Sequence, residues 1–221
     1  MSAHASKQRA AVDALCRVIV DDWETAASCF YCYRDKNQKP IQGRTVRFAE
    51  LAAYFWGGIE SESQPVAVGP ARTRVRTICK DVERNLTATV EIETSVEDGE
   101  IIKASQLASA VGYRTALFRV IPSLLFESAF KKAVHVATGG GRSIKKRRSW
   151  VLNRLIKIHP DLTKADLLQS VGRAEVQELT LTDLAVLIGQ SNSDDIKAAR
   201  QSSLSPSDFR KSQKHGQIQE S

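Results

Sequence analysis

The chain has 221 residues, of which 42% are hydrophobic and 26% are charged, and its formal net charge at pH 7 is +7. This length allows one sizeable core with a smaller module, and the hydrophobic content is ordinary for a globular protein, which excludes a wholly disordered chain. The positive charge favours an anionic partner but does not identify one.

The N-terminal residues 1–22 do not form a secretory signal, because polar side chains interrupt the apolar stretch that such a signal needs. No run of about 18 apolar residues, the length that spans a bilayer, occurs elsewhere. We therefore expect a cytoplasmic protein with no membrane partner.

The four cysteines, Cys16, Cys29, Cys32 and Cys79, do not suggest a disulfide framework in a cytoplasmic chain of this size. Cys29 and Cys32 have a zinc-like spacing, but no second Cys or His pair follows at a matching distance. We expect buried or half-buried thiols, no metal and no cofactor. The four histidines are scattered, and no catalytic set can be identified from spacing.

The first part of the chain shows helical periodicity. Ala11, Leu15 and Ile19 share one face of a predicted helix over residues 10–27, within an N-terminal helical segment assigned to residues 1–40. The polar stretch RDKNQKPIQGR interrupts this pattern. A second helix is predicted to begin after Thr45 as N-cap and to end at Gly57.

The sequence pattern of residues 59–96 predicts strands. RTRVRTICKD and LTATVEIETSV alternate in polarity, and VERN between them fits a tight turn. Pairing Val82 with Asn85 places Arg76 opposite Glu91 and Arg74 opposite Glu93. Arg74 and Arg76 therefore have carboxylate partners, although they remain candidate phosphate ligands. Arg72 faces Ser95 and is predicted to be the arginine that is free for nucleic acid. A third, edge strand is predicted near Pro65 to Val68.

Two further helices complete the predicted core. The stretch IIKASQLASAVGYRTALFRVIP has helical period, and its small residues Ala108, Ala110 and Gly112 would let the helix approach a sheet closely. Pro122 is predicted to begin the next helix, which the glycines from Gly139 end. The pattern predicts an α+β core domain over residues 41–138, an antiparallel three-strand meander packed on helices.

The stretch GGGRSIKKRRSWVLNRLIKIHP, residues 139–160, carries seven basic residues and no acid. It lacks the second glycine, which precedes the lysine in a phosphate-binding loop, and it follows a helix, so a nucleotide site is not predicted. A targeting signal remains an alternative. The basic residues are Arg142, Lys145, Lys146, Arg147, Arg148, Arg154 and Lys157.

Winding this stretch as a helix after Ser143 predicts a core face of Ile144, Val151, Leu155 and Ile158. The opposite side then carries Trp150 among Lys146, Asn153, Arg154 and Lys157. Proteins bind single-stranded nucleic acid with cations beside an aromatic ring, because the cations neutralise phosphates and the ring stacks on bases. The alternative is that Trp150 packs against another part of the protein while the cations are only solvated.

Beyond Pro160, two short helices are predicted, with Thr163 and Thr182 as caps and Gly172 as a stop signal. Their apolar residues are Leu167, Leu168, Leu179, Leu184, Leu187 and Ile188. With the basic helix they make a small helical C-terminal module, assigned to residues 139–200. Residues 201–221 are polar and are predicted to be a disordered tail.

Several segments together resemble the single-strand annealing recombinases of phage type, distantly similar to RecT and Redβ. They are TVRFAELAAYFWGG, VRTICKDVERNLTATVEI, ASQLASAVGYRTALFRVIP and the basic stretch with its following helices. The resemblance spans about Thr45 to Ile196. It implies an oligomeric ring or filament whose basic groove holds one DNA strand, annealing without ATP, and partnership with an exonuclease or a single-strand binding protein. Through YRTALFRVIP it also implies that Arg114 and Arg119 bind nucleic acid.

The sequence thus predicts a single-stranded DNA-binding and strand-annealing protein of phage-type recombination, not an enzyme. The alternative is an adaptor or structural protein whose basic helix binds an acidic protein surface. A nuclease or nucleotide-using enzyme is a third possibility, disfavoured because no clustered acids or phosphate loop is found.

Overall fold

The computed structural model describes residues 3–192, with side chains described from residue 6. The α-helices are α1 (Ala3–Asp21), α2 (Trp23–Ser28), α3 (Val46–Trp56), α4 (Ile101–Val120), α5 (Glu127–Ala137), α6 (Ile144–Ile158), α7 (Lys164–Ser170) and α8 (Leu181–Gly189). The strands are β1 (Phe30–Arg34), β2 (Pro40–Arg44), β3 (Ile59–Val68), β4 (Arg72–Asp81) and β5 (Leu86–Ser95). Short 3₁₀ segments cover Ser123–Phe126 and Val176–Glu178.

Strands β3, β4 and β5 form the predicted antiparallel meander, in that order. The predicted register is confirmed, with Arg76 opposite Glu91 and Arg74 opposite Glu93. The edge strand β3 is longer than predicted, because it already begins at Ile59. Its pairing with β4 shifts between Pro65 and Ala67, as expected where proline has no N–H for the ladder.

Helix α4 lies on the apolar face of the meander. Val75, Val90 and Ile92 of that face are buried. A Cβ on Gly112 would overlap the hydroxyl oxygen of Thr77 on β4, so this position brings the helix backbone close to the sheet. The predicted role of the small residues in α4 is confirmed at Gly112, and the fold is α+β.

The predicted helix over residues 10–27 is wrong in one respect, because it is two helices. It breaks at Asp22, whose carboxylate accepts hydrogen bonds from the backbone N–H groups of Glu24 and Thr25 and so caps α2. An aspartate competes in this way with continued helix because its short side chain reaches nearby backbone donors.

The polar stretch after α2 belongs to a hairpin, β1–β2, that the sequence analysis did not predict. Its turn is held by the Asp35 carboxylate, which accepts from the N–H groups of Asn37 and Lys39 at 2.8 Å each. Each strand has only five residues, too few for alternation to be recognised. The helical part of the predicted segment 1–40 therefore ends at Ser28.

The C-terminal helices begin and end where capping residues occur. Thr163 and Asp166 form a capping box at the start of α7, and Gly172 follows it with a φ of +67°. The cap of α8 is Thr180, not the predicted Thr182, because Thr180 forms the reciprocal bonds with Asp183 three residues later. All the leucines predicted for this small core, and Ile188, are buried.

These helices are not separated from the rest of the fold. Helix α8 packs on β1, and a Cβ on Gly189 would overlap the backbone nitrogen of Cys32. The buried Asp183 carboxylate pairs with Arg34 on β1 and with Arg173 before α8. One apolar cluster therefore runs from Ala11 to Ile188. Residues 193–200 and the predicted tail 201–221 lie outside the described residues.

No helix within residues 3–192 has both the length and the apolar character needed to cross a membrane.

Candidate nucleic-acid interface

Helix α6 follows a tight glycine turn in which Gly139 and Gly141 have φ values of +80° and +77°. Its buried side consists of Val151, Leu152 and Leu155, which face α7, α8 and the 3₁₀ segment between them. The predicted core face is therefore only partly correct. Ile144 and Ile158 are 39% and 42% exposed. These two residues occupy the first and last positions of α6, where the buried stripe of the helix no longer continues.

The seven basic residues from Arg142 to Lys157 are here called the basic face. Within residues 3–192, none of them forms an ion pair with an N···O distance up to 4 Å. By contrast, eight arginines elsewhere in the described chain each pair with an Asp or Glu: Arg34, Arg44, Arg47, Arg72, Arg74, Arg76, Arg84 and Arg173. The charge of α6 is thus not neutralised within the described fold.

The side chains of the basic face differ in exposure and in their hydrogen bonds within the protein. Lys145, Lys146 and Lys157 are exposed. Arg147 donates from Nε to the Arg142 carbonyl at 2.8 Å. Arg148 is half-buried and donates from Nε to the Leu179 carbonyl at 2.7 Å, so it also joins α6 to the segment before α8. A guanidinium held at Nε still has its terminal amino groups available to a ligand.

Trp150 is half-buried and combines features of both sequence-based alternatives. One side packs against the core, where its ring meets Trp23 edge-on at a centroid distance of 5.9 Å and an interplanar angle of 87°. Trp23 is itself held by a 2.8 Å hydrogen bond from its indole N–H to the Ala137 carbonyl. Trp150 therefore packs within the protein, as the second alternative predicted.

The remaining surface of Trp150 faces cations. The guanidinium carbon of Arg142 lies 4.3 Å from the ring centroid, and that of Arg154 lies 5.5 Å from the rings of both Trp150 and Trp23. The charge of Arg154 also contributes to a lowered pKa of Asp22, for which the hydrogen bond from Thr25 is the largest cause. The guanidinium of Arg142 thus lies over the indole of Trp150.

Two open clefts flank the exposed ridge of α6. The first, here the Trp150 cleft, has a volume of about 570 Å³ and is lined by Arg142, Ser143, Lys145, Lys146, Ser149, Trp150 and Asn153. The second, here the Lys164 cleft, has a volume of about 780 Å³. It is lined by Lys145, Arg148, Ser149, Lys164, Leu168, Ala174, Glu175, Val176 and Gln177. The two clefts share Lys145 and Ser149.

Lys164 was not identified from the sequence. It is the first residue of α7, and the chain folds back after α6 so that it faces the same cleft as Lys145 and Arg148. The capping signal at Thr163 locates the start of α7 in the sequence, but not the neighbour that α7 faces.

The three predicted ligands outside the basic stretch lie elsewhere in the fold. Arg72 is not the free arginine that the register suggested, because it reaches diagonally across the sheet to Glu93 at 2.7 Å. Residues displaced by two positions on paired strands lie within reach of long side chains. Arg74 and Arg76 pair with Glu93 and Glu91 as predicted.

Arg114 and Arg119 are both on α4. Arg114 donates to the Arg44 carbonyl at 2.8 Å and lies 5.5 Å from the Tyr31 ring, so it links α4 to the first hairpin. Arg119 is exposed near the end of α4, with a 3.5 Å contact to the Thr89 carbonyl. Helix α4 packs on the meander and on α3, whereas α6 packs on α7 and α8. The structure therefore brings together the basic stretch but does not add these arginines to it.

The thiols are buried as expected. Cys29, Cys32 and Cys79 are at most 2% exposed, and burial raises the pKa of Cys29 to about 12 and that of Cys32 to about 11. Within residues 3–192, no group of three or more His, Cys, Asp or Glu side chains is arranged to hold a metal ion.

Comparison with protein-family models, with curated proteins and with solved structures gives no match to this chain. Function is therefore inferred from the residues of α6 and its surroundings.

Proposed function

We propose that this chain binds single-stranded DNA through the basic face of α6 and anneals complementary strands without ATP, as in phage-type recombination. The observation that supports DNA binding is the set of seven cations beside a half-buried indole, none of which forms an ion pair within residues 3–192. Annealing, assembly into a ring or filament, and partnership with an exonuclease or a single-strand binding protein follow from the resemblance alone.

The electrostatics of α6 favour a polyanion. Six of the seven cations lie on one helix of 15 residues, a length of about 22 Å at 1.5 Å per residue. Like charges at helical spacing repel one another, and no ion pair within the described residues relieves this repulsion. A phosphate backbone relieves it and releases condensed counterions, which makes binding favourable at low salt.

A single strand suits the Trp150 cleft better than a duplex does. Bases of a single strand are unstacked and can lie on aromatic rings or on the plane of an arginine guanidinium. Arg142 already lies on the Trp150 ring, so a base can continue that stack on the outer side of the guanidinium. In a duplex the base faces are covered by their neighbours.

The test is a salt titration of binding to a single-stranded oligonucleotide, its duplex form and an acidic polypeptide such as polyglutamate. If about four to six phosphates are contacted, log K should fall with log salt with a slope near −3 to −4 at about 0.7 per contact. Equal or tighter binding of polyglutamate would favour the adaptor alternative. Annealing of complementary oligonucleotides is then measured without nucleotide, and a strict requirement for ATP would contradict the annealing proposal.

A further inference from the structure

The two clefts lie on opposite flanks of α6 and meet at Lys145 and Ser149. Both involve the N-terminal part of α6, up to Asn153, and the Trp150 cleft also involves Arg142 and Ser143 just before the helix. Lys157 lines neither of them. A strand bound in both clefts would therefore cross α6, whereas a strand following the helix axis would reach Lys157, about 16 Å beyond Lys146.

The Lys164 cleft has the composition of a phosphate site. Lys145, Arg148 and Lys164 come from two helices, and Glu175 is the only carboxylate among the residues that line the cleft. Arg148 is oriented by its bond to the Leu179 carbonyl, and the capping box at Thr163 fixes the backbone from which Lys164 extends. Orientation before binding lowers the entropy lost when a phosphate is held.

We propose that a bound single strand crosses α6, with a base at the Arg142–Trp150 stack and a backbone phosphate among Lys145, Arg148 and Lys164. This inference rests on the proposed function, since it gives the path of the same ligand. It makes Lys164 of α7 a nucleic-acid contact and gives Lys157, which lines neither cleft, a smaller part in binding, although Lys157 belongs to the basic stretch and Lys164 does not.

The experiment compares two single variants of the full chain, Lys164→Ala and Lys157→Ala. Both lysines are exposed and neither forms an ion pair within the described residues, so each variant removes one charge with little effect on packing. Lys36→Ala, in the exposed turn between β1 and β2, is the control for the overall loss of charge. Binding of a single-stranded oligonucleotide is measured over a range of salt concentrations, beside a thermal melt of each variant.

For Lys164→Ala we expect the slope of log K against log salt to become shallower by about 0.7. If the variant and the unmodified chain bind equally at 1 M salt, this corresponds to about fivefold weaker binding of the variant at 0.1 M salt. Lys36→Ala should bind within about twofold of the unmodified chain, and Lys157→Ala should weaken binding clearly less than Lys164→Ala does.

The inference is overturned if Lys157→Ala weakens binding as much as Lys164→Ala does, or if only Lys157→Ala weakens it, because the strand then follows the helix axis. In both cases the proposed function stands. A flat salt response of the unmodified chain would instead reject the proposed function itself.

Discussion

Replacing Trp150 with alanine should reduce both stability and affinity, because the two sides of its ring have different neighbours. The inner side packs against Trp23 and the core, and the outer side carries Arg142 and faces the Trp150 cleft. Loss of the inner contacts affects folding. Loss of the outer surface removes the support of the base stack but leaves every phosphate contact in place.

The loss of stability follows from burial. Truncating a core aromatic costs about 3 to 5 kcal/mol, and for a half-buried ring about half of this applies, roughly 2 kcal/mol. For a chain of this size the melting temperature should fall by about 4 to 8 °C. Loss of stacking should cost about 1 to 3 kcal/mol of binding free energy, or about 5- to 140-fold in affinity. The salt slope should hardly change, since no phosphate contact is lost.

The assay combines thermal melts by circular dichroism with salt titrations of oligonucleotide binding, both well below the melting temperature. Trp23→Phe is the matched control. It removes the indole N–H that donates to the Ala137 carbonyl, which should cost about 1 to 3 kcal/mol of stability. Trp23 is only 7% exposed and lines neither cleft, so this variant should bind normally. If Trp150→Ala also binds normally once folded, Trp150 is only a packing residue and the base-stacking hypothesis is refuted.

Three further predictions concern the fold. Gly112→Ala should lower the free energy of unfolding by about 1 to 3 kcal/mol in a urea titration, because the added methyl overlaps Thr77. Asp183→Asn should cost about 1 to 3 kcal/mol, since a neutral amide replaces the buried carboxylate that accepts hydrogen bonds from the partly exposed Arg34 and Arg173; an unchanged urea midpoint would refute this. Burial raises the pKa of Asp183, but hydrogen bonds from Thr180, Arg173 and Arg34 outweigh it and lower the pKa overall. This carboxylate should therefore stabilise the fold above the unfolded pKa of about 3.9, and the contribution should be lost as pH falls through its lower native pKa. Thiol titration of the native protein at pH 8 should leave Cys29 unreacted, and reaction without denaturant would contradict its burial.

Much of the local structure is encoded by residues close together in the chain. Alternation and the VERN turn determine the register of β4 and β5, which pairs Arg74 with Glu93 as predicted. The caps at Thr45 and Thr163 determine where α3 and α7 begin. The hairpin β1–β2 was missed because five-residue strands are too short to show a period. The cap at Thr180 was missed because two threonines lie close together before α8.

The candidate site depends on contacts that no local pattern contains. Sequence alone determined that the basic stretch is a helix rich in cations. The tertiary structure decided which of those cations lack partners and which residues of other elements join them. The bond from Trp23 to Ala137, which holds the ring behind Trp150, joins residues 114 positions apart, and the pair Arg34–Asp183, which holds α8 on the hairpin, joins residues 149 positions apart. Periodicity and capping reflect the geometry of neighbouring peptide units. The meeting of α6, α7 and Trp23 instead reflects the packing of apolar surfaces from distant parts of the chain, which is settled only when the whole core forms.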